Sequence, residues 1–248
     1  MRPLEFVHAA WLEGADPHER VDEYSDIDLW VDVADGREDR ALEAVRTYLE
    51  ESAPLELCIE VDHPHPLVRQ AFYRPGGVPE FLIVDTCVQS HSRQYTFTEE
   101  RTLVLFDKGS VVRYRDLDEE ELRAESLARL GRLESRLAVY PTWVRKEVAR
   151  GKFLEALGAY HEHVLNPLVE ALRLMHTPTK VDFHLKGASA DLPPEVAAKL
   201  EAFYGVRQPE EIADVLPPAL ELLRGTLAEI RDSLGEDGDK SRREVPKV

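Results

Sequence analysis

The sequence has few cysteines and no long apolar run. Cys58 and Cys87 are its two thiols, and neither belongs to a C-x-x-C pair of the metal-binding type. Both lie in apolar runs, LELCIEV and VDTCV, so we expect buried thiols, no disulfide framework and a reducing cytoplasm. No segment approaches the ~20 apolar residues of a membrane helix, and the N-terminal apolar stretch is too short for a signal peptide. We therefore expect a cytoplasmic protein without a membrane partner.

Positive charge is also scarce. The chain has 31 Lys and Arg against 48 Asp and Glu, which gives a formal net charge of −17 at pH 7. Nucleic acid is bound through an excess of Lys and Arg, so no nucleic-acid partner is expected. An anionic nucleotide would need a metal ion or a local cluster of basic side chains to bind here. A cationic second substrate would be attracted by the negative charge.

Short apolar segments bounded by turn residues are abundant in the first part of the chain. Five of them predict strands, at 6–14, 27–33, 55–61, 80–88 and 102–108. The turn sequence RPGGVP at 74–79 predicts that 67–73 pairs with 80–88 as a hairpin. Residues 37–52 have apolar side chains three and four positions apart, which indicates an amphipathic helix. Residues 1–115 are therefore predicted to form one domain around a mixed sheet.

Helical patterns follow from residue 116. Residues 118–140 begin acidic and end basic, as the helix dipole favours. In 142–175, Leu154 and six later residues share one face, and Pro167 should kink or interrupt the helix. The segments 193–205 and 217–235 each begin with Pro-Pro and end in Gly, which predicts two further helices. The predicted fold class is α+β: a mixed-sheet domain (1–115), a helical bundle domain (116–235) and a flexible tail (236–248).

Two aspartates in EYSDIDLWVDV suggest a cation site. Asp26 and Asp28 are two residues apart in a strand, so both carboxylates point to the same face. A third acid, Asp85, lies within the apolar run EFLIVDTCV, where a carboxylate is costly unless it is paired or bound to a cation. Mg²⁺ prefers such oxygen ligands and keeps open positions for phosphate oxygens. The alternative is a strand that simply ends at the surface.

The order of these features resembles the nucleotidyltransferase superfamily of the DNA polymerase beta type. A strand, Gly14, a loop, SDIDLWVDV and a later Asp in an apolar strand precede a helical domain, as in the enzymes that nucleotidylate aminoglycosides or lincosamides. The resemblance implies transfer of a nucleoside monophosphate from a nucleoside triphosphate, with ATP as the expected donor, to a hydroxyl of a small molecule. It also implies two Mg²⁺ ions and release of pyrophosphate.

The resemblance assigns roles to particular residues. Asp26 and Asp28 would bind both Mg²⁺ ions and, through them, the triphosphate. Asp85 would bind the second ion and help to deprotonate the acceptor hydroxyl. Gly14 would let backbone N–H groups approach phosphate, and Ser25 would fix the preceding loop by a short side-chain hydrogen bond.

The loop after Gly14 departs from the family pattern. Ala15 stands where the family has serine, and His18 and Glu19 stand where it has Arg-Gly. A glutamate in this loop would oppose a triphosphate electrostatically. The alternative function is therefore a catalytically degenerate member of the fold, acting as a nucleotide sensor or as a partner in a protein complex such as a toxin–antitoxin pair.

Basic groups for the triphosphate would have to come from the helical part. Lys146, Lys152 and Lys186 are the candidates, with a solvated helix surface as the alternative. The paired histidines at 63 and 65 and at 161 and 163 lack the spacing of a zinc site. The acceptor, the preferred base and the oligomeric state are left open by the sequence.

Overall fold

The computed structural model describes residues 1–14, 22–93, 96–97 and 102–243. The chain divides into two compact units, Met1–Leu117 and Asp118–Val248. Each has a hydrophobic core of its own.

The first unit is built on a mixed sheet. Its strands are Val7–Glu13 (β1), Ile27–Val33 (β2), Leu55–Val61 (β3), Val68–Pro75 (β4), Val84–Ser90 (β5), Thr96–Phe97 (β6), Leu103–Asp107 (β7) and Arg113–Tyr114 (β8). Six of them form one sheet in the order β3-β4-β5-β2-β1-β7, while β6 and β8 pair separately. In the six-stranded sheet β2 and β5 are parallel, and the other four neighbouring pairs are antiparallel. The five predicted strands and the predicted hairpin, now β4 and β5, are confirmed.

One face of the sheet is covered by a helix, Glu38–Ser52 (α1), as predicted from its apolar spacing. Ala41, Leu42 and Val45 of α1 are buried in a core with residues such as Val31 and Tyr73 of the strands. The Tyr73 hydroxyl donates to the Leu42 carbonyl at 3.2 Å, which ties helix and sheet together. The charged residues of β1, β2 and β5, such as Glu13, Asp28 and Asp85, have the opposite strand parity and lie on the other face of the sheet.

The expectation of two buried thiols is half right. Cys87 of β5 is buried, whereas Cys58 of β3 is exposed. The reason is the place of each strand, because β5 lies inside the sheet and β3 lies at its edge. An apolar flanking sequence therefore did not ensure burial.

The second unit is helical. Its helices are Glu119–Leu137 (α2), Pro141–Ala149 (α3), Phe153–Tyr160 (α4), Asn166–His176 (α5), Ala188–Asp191 (α6), Pro194–Tyr204 (α7) and Pro209–Arg243 (α8). Asp118 caps α2 by accepting hydrogen bonds from the N–H groups of Glu120 and Glu121. The coarse α+β class is thus confirmed.

The interruption expected at Pro167 takes the form of a π-helical turn. Residues His161–Leu165 form this turn between α4 and α5, and Pro167 occupies the first turn of α5. Proline is suited to that position because its missing N–H would have no partner there. Leu154, expected on the buried face, is 78% exposed at the start of α4, whose buried residues are Ala156 and Tyr160. The π-helical turn changes the helical phase between Leu154 and the later predicted residues.

The helix expected to begin at Pro217 begins at Pro209 instead. Pro217 and Pro218 lie inside α8, although each lacks the N–H that an internal helical residue donates. Residues on both sides of them, such as Ile212 and Leu220, are fully buried. Burial of this continuous apolar stripe outweighs the lost hydrogen bonds. Helix α8 continues to Arg243, and residues 244–248 of the expected tail lie outside the described residues.

Candidate functional site

The sheet face opposite α1 carries a row of acidic side chains. Glu13 of β1 lies opposite Asp28 of β2, and Asp28 lies beside Asp85 of β5. Adjacent strands are about 4.8 Å apart, so the register places three carboxyl groups side by side on one face. All three residues are half-buried. Glu13, Asp28 and Asp85 are called the carboxylate row below.

Gly14 lies directly against this row. A Cβ atom added to Gly14 would be 2.0 Å from Oδ2 of Asp28, and the backbone φ of Gly14 is +78°. The conformation favours glycine here, and a larger residue would displace the Asp28 carboxylate. The following residues 15–21, which include Ala15, His18 and Glu19, lie outside the described residues.

The Asp85 carboxylate is oriented by its neighbour on β4. Nε2 of Gln70 lies 2.8 Å from Oδ1 and 3.0 Å from Oδ2 of Asp85, so the amide donates to both oxygens. An amide donor stabilises the ionised carboxylate without neutralising its charge. Gln70 therefore fixes the orientation of the Asp85 carboxyl group beside Asp28.

The pKa of the Glu13 carboxyl group is changed by burial and by the neighbouring charges. Burial raises the pKa of the Glu13 carboxyl above its usual value, and the charge of Asp28 raises it further. A hydrogen bond from the Trp11 indole N–H, at 2.9 Å, and the positive charge of Arg93 lower that pKa but do not offset the rise. Burial is therefore the largest influence on the Glu13 carboxyl group, and the charge of Asp28 adds to it.

Asp26 and Ser25 precede β2. Asp26 is exposed, and the sheet begins at the next residue, where Ile27 N–H donates to the Ile83 carbonyl at 2.8 Å. The Ser25 hydroxyl donates to the Asp22 carboxylate and accepts from the Asp22 N–H, both at 3.0 Å. Ser25 therefore closes a short turn just before the strand.

The carboxylate oxygens of the predicted metal ligands Asp26, Asp28 and Asp85 do not form one compact group in the structure. Among the described residues, one group of histidine, cysteine or acidic side chains has ligand atoms that all lie within 4.8 Å of one another, and it contains none of Asp26, Asp28 and Asp85. Glu13 does not complete such a group with them either. A shared cation at the row would therefore require the side chains to rotate toward it.

A second polar cluster lies further along the same face. Its members are His8 in β1, Asp32 in β2 and His91 in the 3₁₀ turn His91–Arg93 that follows β5. Nδ1 of His8 is 3.0 Å and Nδ1 of His91 is 2.9 Å from the same atom, Oδ1 of Asp32. The two imidazole rings meet edge to face, 4.5 Å apart. These three residues are called the His-Asp-His cluster below.

Aromatic side chains separate the two polar groups. Trp11 and Trp30 are paired in register between them and stack with ring centroids 6.1 Å apart. The Arg93 guanidinium lies 5.2 Å from the Trp30 ring centroid. Cys87 is the register partner of Trp30 on β5, and burial raises the pKa of its thiol to about 12. Cys87 is therefore a neutral thiol at pH 7 and no nucleophile.

The three candidate lysines all belong to the helical unit, and all are exposed. Lys146 is in the last turn of α3, and Lys152 precedes α4, where its ammonium lies 3.8 Å from Glu155. Lys186 lies before α6, and its carbonyl accepts a hydrogen bond from Arg173 at 2.6 Å. Their proposed contact with phosphate stays a prediction.

The helical unit also contains an open cavity of about 650 Å³. Its lining is mostly apolar, with Leu172, Phe203 and Leu222 among the residues, and it also includes Lys199 and Glu221. A volume of this size suits a small organic molecule.

Several residues of the sheet face were not singled out by the sequence. Glu13 had one available signal, because it has the same strand parity as Trp11 and immediately precedes Gly14. Arg93, His8 and His91 had none, since no motif spacing links them to the aspartates. The register of β1 and β5 against β2 is what brings them together.

No protein-family model matches the chain, and the curated proteins include no significant match. Among the helices within the described residues, none combines the length and the apolar composition that a membrane crossing requires.

Proposed function

We propose that this chain is a Mg²⁺-dependent nucleotidyltransferase that moves a nucleoside monophosphate from a nucleoside triphosphate to a hydroxyl of a small molecule. The observation that carries the proposal is the register of β2 and β5, which sets Asp28 beside Asp85 on the face opposite α1. Glu13 extends the pair to three acids.

The residues present fit a hard divalent cation. The row offers carboxylate oxygens, and Mg²⁺ prefers oxygen ligands. Like charges on neighbouring strands repel one another, and the charge of Asp28 adds to the burial that raises the pKa of Glu13. A divalent cation would offset the excess charge, with Asp28 in the centre as the shared ligand and Asp26 reaching it from the exposed end of β2.

Asp85 is the proposed general base. Gln70 orients its carboxylate, which would accept the proton of an acceptor hydroxyl placed over β5. Mg²⁺, when bound, neutralises phosphate oxygens and favours attack by the hydroxyl. Arg93 supplies a positive charge on the same face, close enough to act on Glu13, and would pair with a phosphate oxygen.

Because Gly14 has no side chain, its main chain would be accessible to the nucleotide. Its backbone lies against the Asp28 carboxylate, so a phosphate group brought to that carboxylate would also meet the Gly14 main chain. The acceptor belongs to the small hydroxyl-bearing molecules, and the net charge of −17 would favour a cationic one such as an aminoglycoside.

The test is calorimetric titration of ATP, GTP, CTP and UTP into the full chain, with and without Mg²⁺. We expect Mg²⁺-dependent binding that Asp28→Asn and Asp85→Asn weaken. In a pyrophosphate-release assay with hydroxyl acceptors, the same variants should lose about a hundredfold or more in kcat, the usual effect of removing one charge-stabilising group. Asp62→Asn, an exposed aspartate in the loop after β3, is the matched control and should behave as wild type.

The same titration distinguishes the proposed function from the alternative one. If wild type binds a nucleoside triphosphate with Mg²⁺ but releases no pyrophosphate with any hydroxyl acceptor, the chain is a nucleotide sensor. Absence of binding at millimolar nucleotide would contradict both activities and favour a partner role in a protein complex.

A further inference from the structure

We propose that the His-Asp-His cluster is a second metal site, which binds one divalent transition-metal ion, with Zn²⁺ as the expected ion. This site is separate from the carboxylate row and does not depend on nucleotidyl transfer.

The cluster joins three segments that are distant in the sequence. His8 lies at a register irregularity of β1, between Val7 and Ala9, where the strand pairing with β2 shifts. Asp32 is near the end of β2, and His91 begins the turn after β5. An irregular strand position redirects its side chain, and here the imidazole of His8 reaches Asp32. A metal ion would therefore fasten three strands of the sheet at one point.

Asp32 has the properties of a metal-ligating carboxylate. It is 1% exposed, and a carboxylate so deeply buried needs strong compensation. Its Oδ2 accepts a hydrogen bond from Nε2 of Gln89 at 2.8 Å, which leaves Oδ1 facing the two histidines. Ligating carboxylates are commonly oriented by an outer hydrogen bond of this kind.

The distances suit ligands of a single ion. Both Nδ1 atoms lie 2.9 and 3.0 Å from Oδ1 of Asp32. Two ligands about 2.1 Å from a tetrahedral Zn²⁺ are ~3.4 Å apart, so an ion can replace the shared protons if each histidine moves by about 0.5 Å from Asp32. Imidazole with carboxylate suits zinc and its neighbours in the first transition series and is a poor set for Mg²⁺.

The ion would keep open coordination positions. The side chains of His8 and His91 are 29% and 51% exposed, so the site faces solvent on the histidine side. Three protein ligands with a solvent position are typical of exchangeable or catalytic zinc rather than closed structural zinc. Asp32 and Asp28 are four residues apart on β2, about 13 Å, with Trp30 between them, so one ion cannot serve both groups.

The experiment is a Zn²⁺ titration of the full, tag-free chain against a chelator of known affinity, with Co²⁺ as a spectroscopic probe. We expect one Zn²⁺ per chain, and visible Co²⁺ absorption without the charge-transfer band of a cysteine ligand. His8→Gln and His91→Gln should each weaken Zn²⁺ binding by about a hundredfold or more. Gln89→Leu should weaken it by about tenfold, because the outer bond orients Asp32.

Three controls distinguish zinc at this cluster from zinc bound elsewhere on the chain. His176→Gln removes one histidine from the helical unit and should bind Zn²⁺ as wild type does. Asp28→Asn should also keep Zn²⁺ binding, whereas it should lose Mg²⁺-dependent nucleotide binding, so the two proposals can fail independently. His91 is exposed, so His91→Gln is expected to fold, which circular dichroism checks.

Two results would overturn the proposal. One is a wild-type chain that binds no stoichiometric Zn²⁺, in which case the histidines only hydrogen bond to Asp32. The other is unchanged Zn²⁺ affinity in both His8→Gln and His91→Gln, which would place any bound ion elsewhere.

Discussion

Gly14 illustrates how a missing side chain can shape a candidate site. Its φ of +78° costs any other residue about 1–2 kcal/mol, and its Cα lies against the Asp28 carboxylate. Gly36 has a similar φ of +74°, but nothing lies within 4 Å of the place where its Cβ would be. A comparison of substitutions at the two glycines therefore distinguishes the effect of backbone strain from the effect of the contact with Asp28.

We expect Gly14→Ala to reduce the free energy of unfolding by about 1–3 kcal/mol and to displace the Asp28 side chain. Gly36→Ala should cost about 1 kcal/mol and leave Asp28 in place. Chemical denaturation measures the first effect, and nucleotide titration with Mg²⁺ measures the second. Equal losses in both assays for the two variants would contradict a special role for Gly14.

Glu13 provides a pH test of the carboxylate row. Its pKa is raised, so the folded state holds the Glu13 proton more tightly than the unfolded chain, whose usual value is 4.5. The stability from this proton is fully present below that value and is lost as the pH rises through the folded-state pKa. Glu13→Gln removes the charge and keeps an oxygen that can accept from Trp11.

Without Mg²⁺ at pH 7, Glu13→Gln is therefore expected to unfold with a larger free energy than wild type. This advantage should vanish below about pH 4, where wild-type Glu13 is also neutral. Denaturant titrations across this pH range measure the difference, and Glu5→Gln, an exposed glutamate, should track wild type throughout. A lower stability of Glu13→Gln at pH 7 would show that the row is not overcharged.

The sequence predicted some residues of the site better than others. The period of two in a strand singled out Asp26 and Asp28, of which Asp28 lies in β2 and Asp26 precedes it, and an acid in an apolar run drew attention to Asp85. Glu13 and His8 were missed because their importance depends on which strand lies beside β2. Strand order is a tertiary property, and no local pattern encodes it.

Among the connecting elements of the helical unit, the segment between α5 and α6 is held by a buried ion pair. Arg173 of α5 is fully buried and donates to Asp191 at 2.7 Å and to the carbonyls of His184 and Lys186. Burial alone would raise the pKa of Asp191, but hydrogen bonds from Lys180 and Arg173 reverse this and lower it. One arginine thus fixes both ends of the segment that contains Lys186.

We expect Arg173→Met to reduce the free energy of unfolding by about 3–5 kcal/mol, because Asp191 would remain buried with one partner fewer. Thermal or denaturant unfolding measures the loss. Arg132→Met, at an exposed arginine whose guanidinium is 3.8 Å from Glu170, should stay close to wild type. A small loss for Arg173→Met would mean that the segment is held chiefly by apolar packing.

Element boundaries matched their predicted positions where the sequence signals agreed with one another. Strands β2 and β3 coincide with their predicted ranges because alternation and turn residues agree there. Helix α8 does not, since the prolines at 217 and 218 signal a start while the apolar period continues through them. Burial of these apolar residues in the folded protein decided where the helix begins. A rule based on local sequence does not include that burial.

At the scale of the whole molecule, the two units have separate cores. The hydrophobic core between the sheet and α1 contains residues of 1–117. The larger hydrophobic core of the helical unit contains residues of 118–248. Each unit is of a size at which many domains fold alone.

We therefore expect fragments 1–117 and 118–248 to fold separately. Each should give a cooperative thermal transition and dispersed amide resonances when expressed alone. A fragment without a cooperative transition would show that its core depends on the rest of the chain.

The parallel pairing of β2 with β5 also sets the time at which the polar face is assembled during synthesis. Asp32 and Gln89 are 57 residues apart, and closing a loop of that length costs about 3.6 kcal/mol in chain entropy. The β3–β4 hairpin closes over a much shorter distance and can form first. A nascent chain that has not yet released β5 from the ribosome therefore lacks both the carboxylate row and the His-Asp-His cluster. Both groups of side chains are therefore completed by the same strand pairing.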